Sequence, residues 1–323
     1  MDAVQYVGGD LLHASRVHAR LKGRAATYKF SRRRYRTLFD RAFAVDDRNV
    51  EEFESCGTPA DRIECVGNLA IDGARFEAAL PPESGAPVDG ILIMPGSRAY
   101  EIENLVPFYF AVALRIRHER PEIPIAFALS PFATRAQVRA GIESGGHPRM
   151  FGRTGLLIAE NGRDYLTTAS GDVRIPVLRN ALSAAVLARL ILTIPGTKTV
   201  ELASLGRPVM TITPLNAPEF VAINGPLTYL NRIPLVGVPL KRAIAVGVSR
   251  RFGYHAQPNI DAGTALVREM HGTVTPGRIA RVALEAYDDG GWLRDSAKAL
   301  SLLYRNHVGA SERMAESLLA LAS

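Results

Sequence analysis

The sequence predicts an α/β protein of two packed domains built on parallel sheets, and three observations carry that expectation. At 323 residues the chain exceeds what one ordinary core needs and suits two. Short apolar runs of strand length alternate with amphipathic runs of helix length, the pattern of strand-helix-strand units. One stretch, residues 80–87, reads LPPESGAP and concentrates residues that break both element types. The domains expected are therefore 1–80 and 81–323.

In chain order, residues 3–7 form a short strand that runs into the turn Gly8-Gly9-Asp10. A helix over 11–21, a strand over 25–30, the cluster Arg32, Arg33, Arg34 and Arg36, and a strand over 41–45 follow. Residues 51–55 make a short helix closed by Gly57 and Pro59, and 63–66 a strand ending at Gly67-Asn68. Beyond the breaker-rich stretch the alternation restarts, with strands at 91–94, 125–129, 156–159 and 190–194. Helices are expected through Val112 and Ile116, over 134–144, over 181–189, and from the Pro195-Gly196 turn to the stop at Gly206 and Pro208. Thr275-Pro276 supplies an N-cap and a first-turn proline for a helix to about Tyr287, and Ser311-Glu312 opens the last helix.

Composition narrows the class. Apolar residues make up 47% and charged residues 22%, so a disordered or collagen-like chain is excluded. The net charge of +7 comes almost entirely from arginine and suits phosphate groups, an anionic lipid surface or nucleic acid. No nucleic-acid reader motif accompanies it. Cys56 and Cys65 match no zinc spacing and read as unpaired thiols of a reducing compartment. The first ten residues lack the basic and apolar regions of a secretory signal, so a cytoplasmic location is expected. Residues 226–248 are apolar but broken by prolines and basic residues; they fall short of the ~20 apolar residues of a membrane span and suit either a membrane interface or a buried loop and helix.

Three motifs carry chemistry. Met94-Pro95-Gly96-Ser97-Arg98 follows a buried strand and precedes a helix. Gly96 permits a tight turn, Ser97 offers a hydroxyl and Arg98 a fork that matches phosphate oxygens. Pro195-Gly196-Thr197-Lys198-Thr199-Val200-Glu201 opens a helix whose free N–H groups can hold an anion, while Glu201 can accept from a ribose or merely complement the helix dipole. Gln257-Pro258-Asn259-Ile260-Asp261-Ala262-Gly263 places Asn259 in a turn, as a ligand or as a local cap. All three are expected at the carboxyl edge of one parallel sheet, where open α/β folds bind ligands. Phosphate-loop and dinucleotide fingerprints are absent from the sequence, which argues against an ATPase or a dehydrogenase.

The order of these motifs resembles that of the lipid-A-disaccharide synthases. Pro95-Gly96-Ser97-Arg98 with Glu101-Ile102, Leu105 and Pro107 is similar to the family's first donor-lobe motif. Gly196-Thr197, Thr199 and Glu201 resemble its second, and Pro258-Asn259, Ala262-Gly263, Leu266-Val267 and Glu269 its third. Upstream, Val66-Gly67-Asn68 resembles the end of the family's acceptor lobe, with asparagine where the family has histidine. The resemblance implies a GT-B-like fold with two Rossmann-like parallel-sheet lobes, the N-terminal one incomplete because the family's glycine-rich opening segment has no counterpart. It also implies an inverting, metal-independent hexosyltransferase that moves a diacylglucosamine unit from a UDP-sugar to a lipid-linked sugar phosphate. The UDP-sugar is then a substrate, no cofactor or metal is required, and an acceptor lipid brings the protein to the inner-membrane surface. Gly96, Ser97, Arg98, Gly196, Thr197, Thr199, Glu201 and Asn259 are the expected UDP contacts, and Asp10 the candidate base. Two further departures stand out: Gly8-Gly9-Asp10-Leu11 replaces the family's acceptor-side motif, and the stretch 213–255 is longer than in the family. Other UDP-sugar enzymes of the same fold, such as a UDP-GlcNAc epimerase or a peptidoglycan glycosyltransferase, and a non-catalytic nucleotide-sugar binder are the alternatives.

Overall fold

The computed structural model describes residues 4–7, 39–55, 57–217 and 253–322. The chain divides into two compact units, residues 1–76 with 303–323, and residues 77–302. The division falls just before the proline-rich stretch rather than within it, and the last helix, expected in the second domain, belongs to the first unit. Asp10, the arginine cluster, the expected elements over 11–30, Cys56 and the apolar segment 226–248 lie outside the described residues.

In the first unit, β1 (Val4–Val7), β2 (Arg41–Ala44) and β3 (Ile63–Cys65) form a parallel sheet in that order. Helix α1 (Asp47–Ser55) connects β2 to β3; Asp46 Oδ1 accepts the N–H of Asn49 at 2.9 Å and caps it. Phe53 on that helix packs with Ala42 and Ala44 of β2, against Val50 and Ile63. Helix α2 (Leu69–Ala78) begins on Asn68, whose Oδ1 accepts the N–H of Ala70 at 3.0 Å, so the asparagine that departs from the family pattern serves as a helix cap. The carboxylate of Asp72 accepts the N–H groups of Gly309 at 2.8 Å and Ser311 at 2.7 Å. Those are the residues flanking the start of the last helix (Ala310–Ala322), so a carboxylate far away in sequence caps it. Arg313 adds two bonds, 2.6 and 2.9 Å long, to the carbonyl of Val66. Gly67 must be glycine here: its φ is +95°, and an added Cβ would lie 2.9 Å from Arg313 Nη2 and 3.1 Å from the His307 backbone. Cys65 is a free, exposed thiol.

Among the described residues, the second unit is a sheet of eight strands flanked by helices. From β4 (Ile91–Met94) and β5 (Ile125–Ala128) the sheet extends through β8 (Arg174–Leu178), β7 (Arg163–Thr167) and β6 (Leu156–Glu160) on one side. On the other it extends through β9 (Leu190–Thr193), β10 (Val209–Pro214) and β11 (Arg268–Gly272). The pairs β11-β10-β9-β4-β5-β8 are parallel, while β6, β7 and β8 pair antiparallel. Every residue of β4, β5 and β9 is buried, as expected for central strands covered on both faces. The β6-β7 hairpin turns on Asn161 and Gly162, at φ 52° and 76°, the backbone a two-residue hairpin demands. It was not expected, although the Asn-Gly dipeptide announces it.

Helix α3 (Ala99–Glu119) is the long helix expected after β4. Its buried residues, among them Ile102, Val106, Tyr109, Val112 and Ile116, fix it to the sheet. Tyr109 donates from its hydroxyl to the Thr193 carbonyl at 3.1 Å, tying α3 to β9, and burial pushes this phenol well up. Helix α4 (Arg135–Ser144) starts at the Thr134/Gln137 capping box. The helix expected over 181–189 is only α5 (Ala181–Ala185), because Leu187 and Arg189 bond by backbone to Asp89 and Gly90 at the entry to β4. Next come α6 (Thr197–Ser204), α7 (Gln257–Ala262), α8 (Pro276–Asp288, capped by Thr275) and α9 (Gly290–Leu303); the terminal helix is α10.

Candidate functional site

The first and second motifs meet because β4 and β9 are parallel neighbours, with Met94 opposite Thr193. Their following loops therefore leave the same carboxyl edge side by side, where an open parallel sheet offers its ligand site. A cavity of about 280 Å³ opens there, lined by Arg98 and Tyr100 from the start of α3, Pro195 before α6, Thr213 at the end of β10, Met150 and His255. His255 precedes α7, so the third motif reaches the same cavity through a residue not anticipated from the sequence. Its ring lies 4.8 Å from that of His271 on β11.

The turn between β4 and α3 is built around Glu101. Its Oε2 accepts the N–H of Ser97 at 2.7 Å and of Arg98 at 2.9 Å; Oε1 meets Arg98 Nη1 at 3.2 Å and the Tyr100 hydroxyl at 3.0 Å. The Glu101 side chain is 3% exposed and that of Arg98 65%. Gly96 makes room for the carboxylate: φ is +112°, and a Cβ there would stand 2.3 Å from Oε2. The N–H groups of this turn are thus held by the chain's own carboxylate, while Arg98, expected to offer its fork to phosphate, lines the cavity, exposed, with Glu101 and Tyr100 as partners. Burial, and then the charge of Glu101, raise the pKa of Tyr100, which stays a donor.

At the second motif, Gly196, Thr197 and Lys198 are exposed at the start of α6. Among the described residues no hydrogen bond is made to their N–H groups, so this helix end is open to an anion. Thr199 is different: it is fully buried, and its hydroxyl donates to the Gly196 carbonyl at 2.6 Å, so it shapes the turn rather than facing a ligand. Glu201 pairs with Lys198 at 2.5 Å. Burial raises the Glu201 pKa, against the opposing pull of Lys198.

Asn259 of the third motif is fully buried and spends its side chain inside the protein. Nδ2 donates to the Val267 carbonyl at 2.8 Å and to Glu269 Oε1 at 2.6 Å, and Oδ1 accepts the N–H groups of Leu266 and Val267, both at 2.8 Å. That exhausts an amide's capacity, so Asn259, which lies inside α7 rather than in a turn or at its cap, is a pin between α7 and β11. Glu269 also takes the N–H groups of His255 at 2.7 Å and Ala256 at 3.1 Å, closing the start of α7. Of the expected contacts, Arg98 lines the cavity; Ser97, Gly196 and Thr197 are exposed in the turns that follow β4 and β9, Gly96 and Glu201 are half-buried, and Thr199 and Asn259 are buried.

Comparison with known proteins gives a consistent placement. No family model matches the chain. It is 26% identical over 275 residues to the lipid-A-disaccharide synthase of Pseudomonas syringae pv. tomato, covering 83% of this chain and 58% of that protein. With the lipid-A-disaccharide synthase of Myxococcus xanthus it shares 24% identity over 310 residues, 93% of this chain and 65% of that one. The chain thus spans less than two-thirds of the length of these curated relatives. Among solved structures, the UDP-GlcNAc 2-epimerase from Neisseria meningitidis bound to UDP-GlcNAc matches at a TM-score of 0.52 and 15% identity, over 98% of this chain and 70% of that one. A UDP co-structure of MnaA from S. aureus matches at a TM-score of 0.51 and 17% identity, over 89% and 61%. At such identities these structures speak for the fold alone, and that fold is GT-B. By motif order and by similarity over most of its length, the chain is a divergent relative of the lipid-A-disaccharide synthases.

Proposed function

We propose that the protein is a UDP-sugar-dependent glycosyltransferase that moves a diacylglucosamine unit onto a lipid-linked sugar phosphate, the reaction implied by the resemblance of its motifs; the curated relatives it matches are named lipid-A-disaccharide synthases. The observation that carries this reading is the cavity at the carboxyl edge of the second unit, lined by Arg98 and by Pro195 just before α6, whose first N–H groups have no partner among the described residues. Breaking the sugar–phosphate bond leaves negative charge on the UDP oxygens. A guanidinium and a helix N-terminus, already oriented, stabilise that charge without reorganising. In this reading they do the work that a metal ion does elsewhere, and the sugar inverts as the acceptor hydroxyl attacks the face opposite the departing diphosphate. A carboxylate is required to take the hydroxyl proton, and Asp10 is the assigned candidate. An acylated acceptor implies work at the cytoplasmic surface of the inner membrane; among the described residues no helix is long and apolar enough to cross one.

The test is incubation with a UDP-linked diacylglucosamine and diacylglucosamine 1-phosphate, following UDP release and the disaccharide product. Disaccharide formation that depends on both substrates supports the proposal. A well-folded protein that instead converts UDP-GlcNAc to an epimer overturns it in favour of an epimerase reading.

A further inference from the structure

A second hollow of the same unit, a groove of about 770 Å³, shares no lining residue with the cavity at the sheet edge. Helix α3 contributes Ala111, Leu114, Arg115 and His118, whose spacing keeps them on one helix face, while Val112, Ala113 and Ile116 turn into the core. Phe151 and Arg153 come from the turn before β6, and the start of α8 completes the lining. That turn is pressed onto α3 at Gly152, where a Cβ would collide with the Gly145 carbonyl oxygen and stand 3.0 Å from Pro107 Cβ. The Arg153 N–H fixes it there by donating to the Pro107 carbonyl at 3.0 Å. Phe151 sits at φ +56° with 51% of its surface exposed. A bulky residue in the left-handed region is strained, and an exposed ring gains nothing from burial, so two unfavourable features coincide at the groove.

Arg115 and Arg153 are both exposed, and among the described residues neither pairs with a carboxylate. The acidic side chains next along do not neutralise them: Glu119 lies in an adjoining hollow with Arg278 and Arg281, and Glu285 pairs with Arg281 at 3.8 Å. Two such guanidinium groups beside the apolar surface of Leu114 and Phe151 call for a ligand with an anionic end and an apolar body. Inorganic phosphate would leave the apolar part wet, and a neutral amphiphile would leave the arginines without a partner. We propose that this groove binds one anionic phospholipid, its phosphate held by Arg115 and Arg153 and its acyl chain laid along Leu114 and Phe151. Concavity separates this from adsorption on a charged membrane: the contact is with a single lipid molecule, and net charge alone does not reproduce it. None of these residues lines the cavity assigned to the nucleotide, so lipid binding here and UDP binding there are separately testable.

The experiment titrates dihexanoyl phosphatidylglycerol, below its micelle concentration, into the full chain. Dihexanoyl phosphatidylcholine tests the need for a net negative head, and inorganic phosphate the need for a chain. The groove variants are Arg115→Gln combined with Arg153→Gln, and Phe151→Asn, which keeps a residue that tolerates the left-handed backbone. The charge control combines Arg139→Gln with Arg163→Gln, exposed positions that do not line the groove. Phosphatidylglycerol is expected to bind saturably and at least ~10-fold more tightly than either comparison ligand. The double groove variant is expected to lose ~10-fold or more, while the charge control stays within about twofold of wild type. Phe151→Asn is expected to weaken the lipid by ~3-fold or more, leave phosphate unchanged and keep the thermal midpoint, so that its loss is not one of folding. Equal affinity for the two lipids, or equal losses in the two double variants, would overturn the proposal and reduce the groove to general surface charge. Phosphate that binds as tightly as the lipid would overturn it in favour of a simple anion site. UDP affinity is expected to be unchanged in both groove variants; a parallel fall would make the groove part of the nucleotide site and overturn its separate role.

Discussion

Gly96 and Glu101 form one unit: the glycine at φ +112° leaves the space that the carboxylate fills, and a Cβ on it would come within 2.3 Å of Oε2. Gly96→Ala therefore combines an unfavourable left-handed backbone with eviction of a buried cap. The expected loss is on the order of 2–3 kcal/mol of unfolding free energy, measured by denaturant titration. A loss under about 0.5 kcal/mol would mean that the turn relaxes freely.

Asn259 is expected to matter for stability rather than for ligand contact. Replacing it by alanine orphans the buried N–H of Val267 and takes a donor from the Val267 carbonyl, while the Leu266 N–H keeps the Thr264 carbonyl and Glu269 Oε1 keeps the Ala256 N–H. A cost of about 1–3 kcal/mol follows from the unpaired buried group. The UDP affinity of the folded variant is expected to stay within about threefold of wild type. A normal unfolding midpoint with affinity lost would reverse the assignment and make Asn259 a direct contact.

Asp72 supplies the acid sensitivity of the first unit. Burial alone would raise its pKa, but the N–H groups of Ser311 and Gly309 outweigh it and hold the carboxyl below its ordinary value. With the folded value below the unfolded one, the stabilisation is complete above the ordinary aspartate range, near about pH 4, and is lost as pH falls through the folded value. Asp72→Asn is expected to lower stability at neutral pH by about 1 kcal/mol, the worth of a capping carboxylate open to solvent screening. The gap to wild type should narrow below about pH 4, as thermal midpoints across pH 3–7 will report.

Tyr109→Phe removes the one hydroxyl that links α3 to the Thr193 carbonyl in the interior. The expected cost is about 1–2 kcal/mol, with the fold unchanged, read from the denaturant midpoint at constant slope. An unchanged midpoint would show that the carbonyl finds another donor.

The central strands and their loops were legible because each is a continuous apolar run bounded by breakers, as 91–94 and 190–193 are. So were the caps at Thr134 and Thr275, whose residue types name their role. The role of Glu101 was not, because the N-cap residue Arg98 has no side-chain acceptor and forms no capping box, so nothing in the local pattern announces that Glu101 accepts the N–H groups of Ser97 and Arg98. Strands β10 and β11 escaped notice for a different reason. β10 follows a Gly206-to-Pro208 stop, and β11 sits in a stretch read as the continuation of the third motif. The allegiance of α10 to the first unit depends on Asp72 reaching Gly309, 237 residues away, a contact that no local pattern encodes. Composition left phosphate groups, an anionic lipid surface and nucleic acid all open, and only three-dimensional contact shows which N–H groups already have a partner among the described residues.

The most direct test of the central claim, a nucleotide site on the second unit, is calorimetric titration of UDP into the wild-type chain and an Arg98→Ala variant. Saturable binding is expected, weakened about 10-fold or more by the substitution, as loss of a charge-assisted contact requires. Absence of UDP binding by well-folded wild type, or equal affinity in the variant, would contradict the assignment of this cavity.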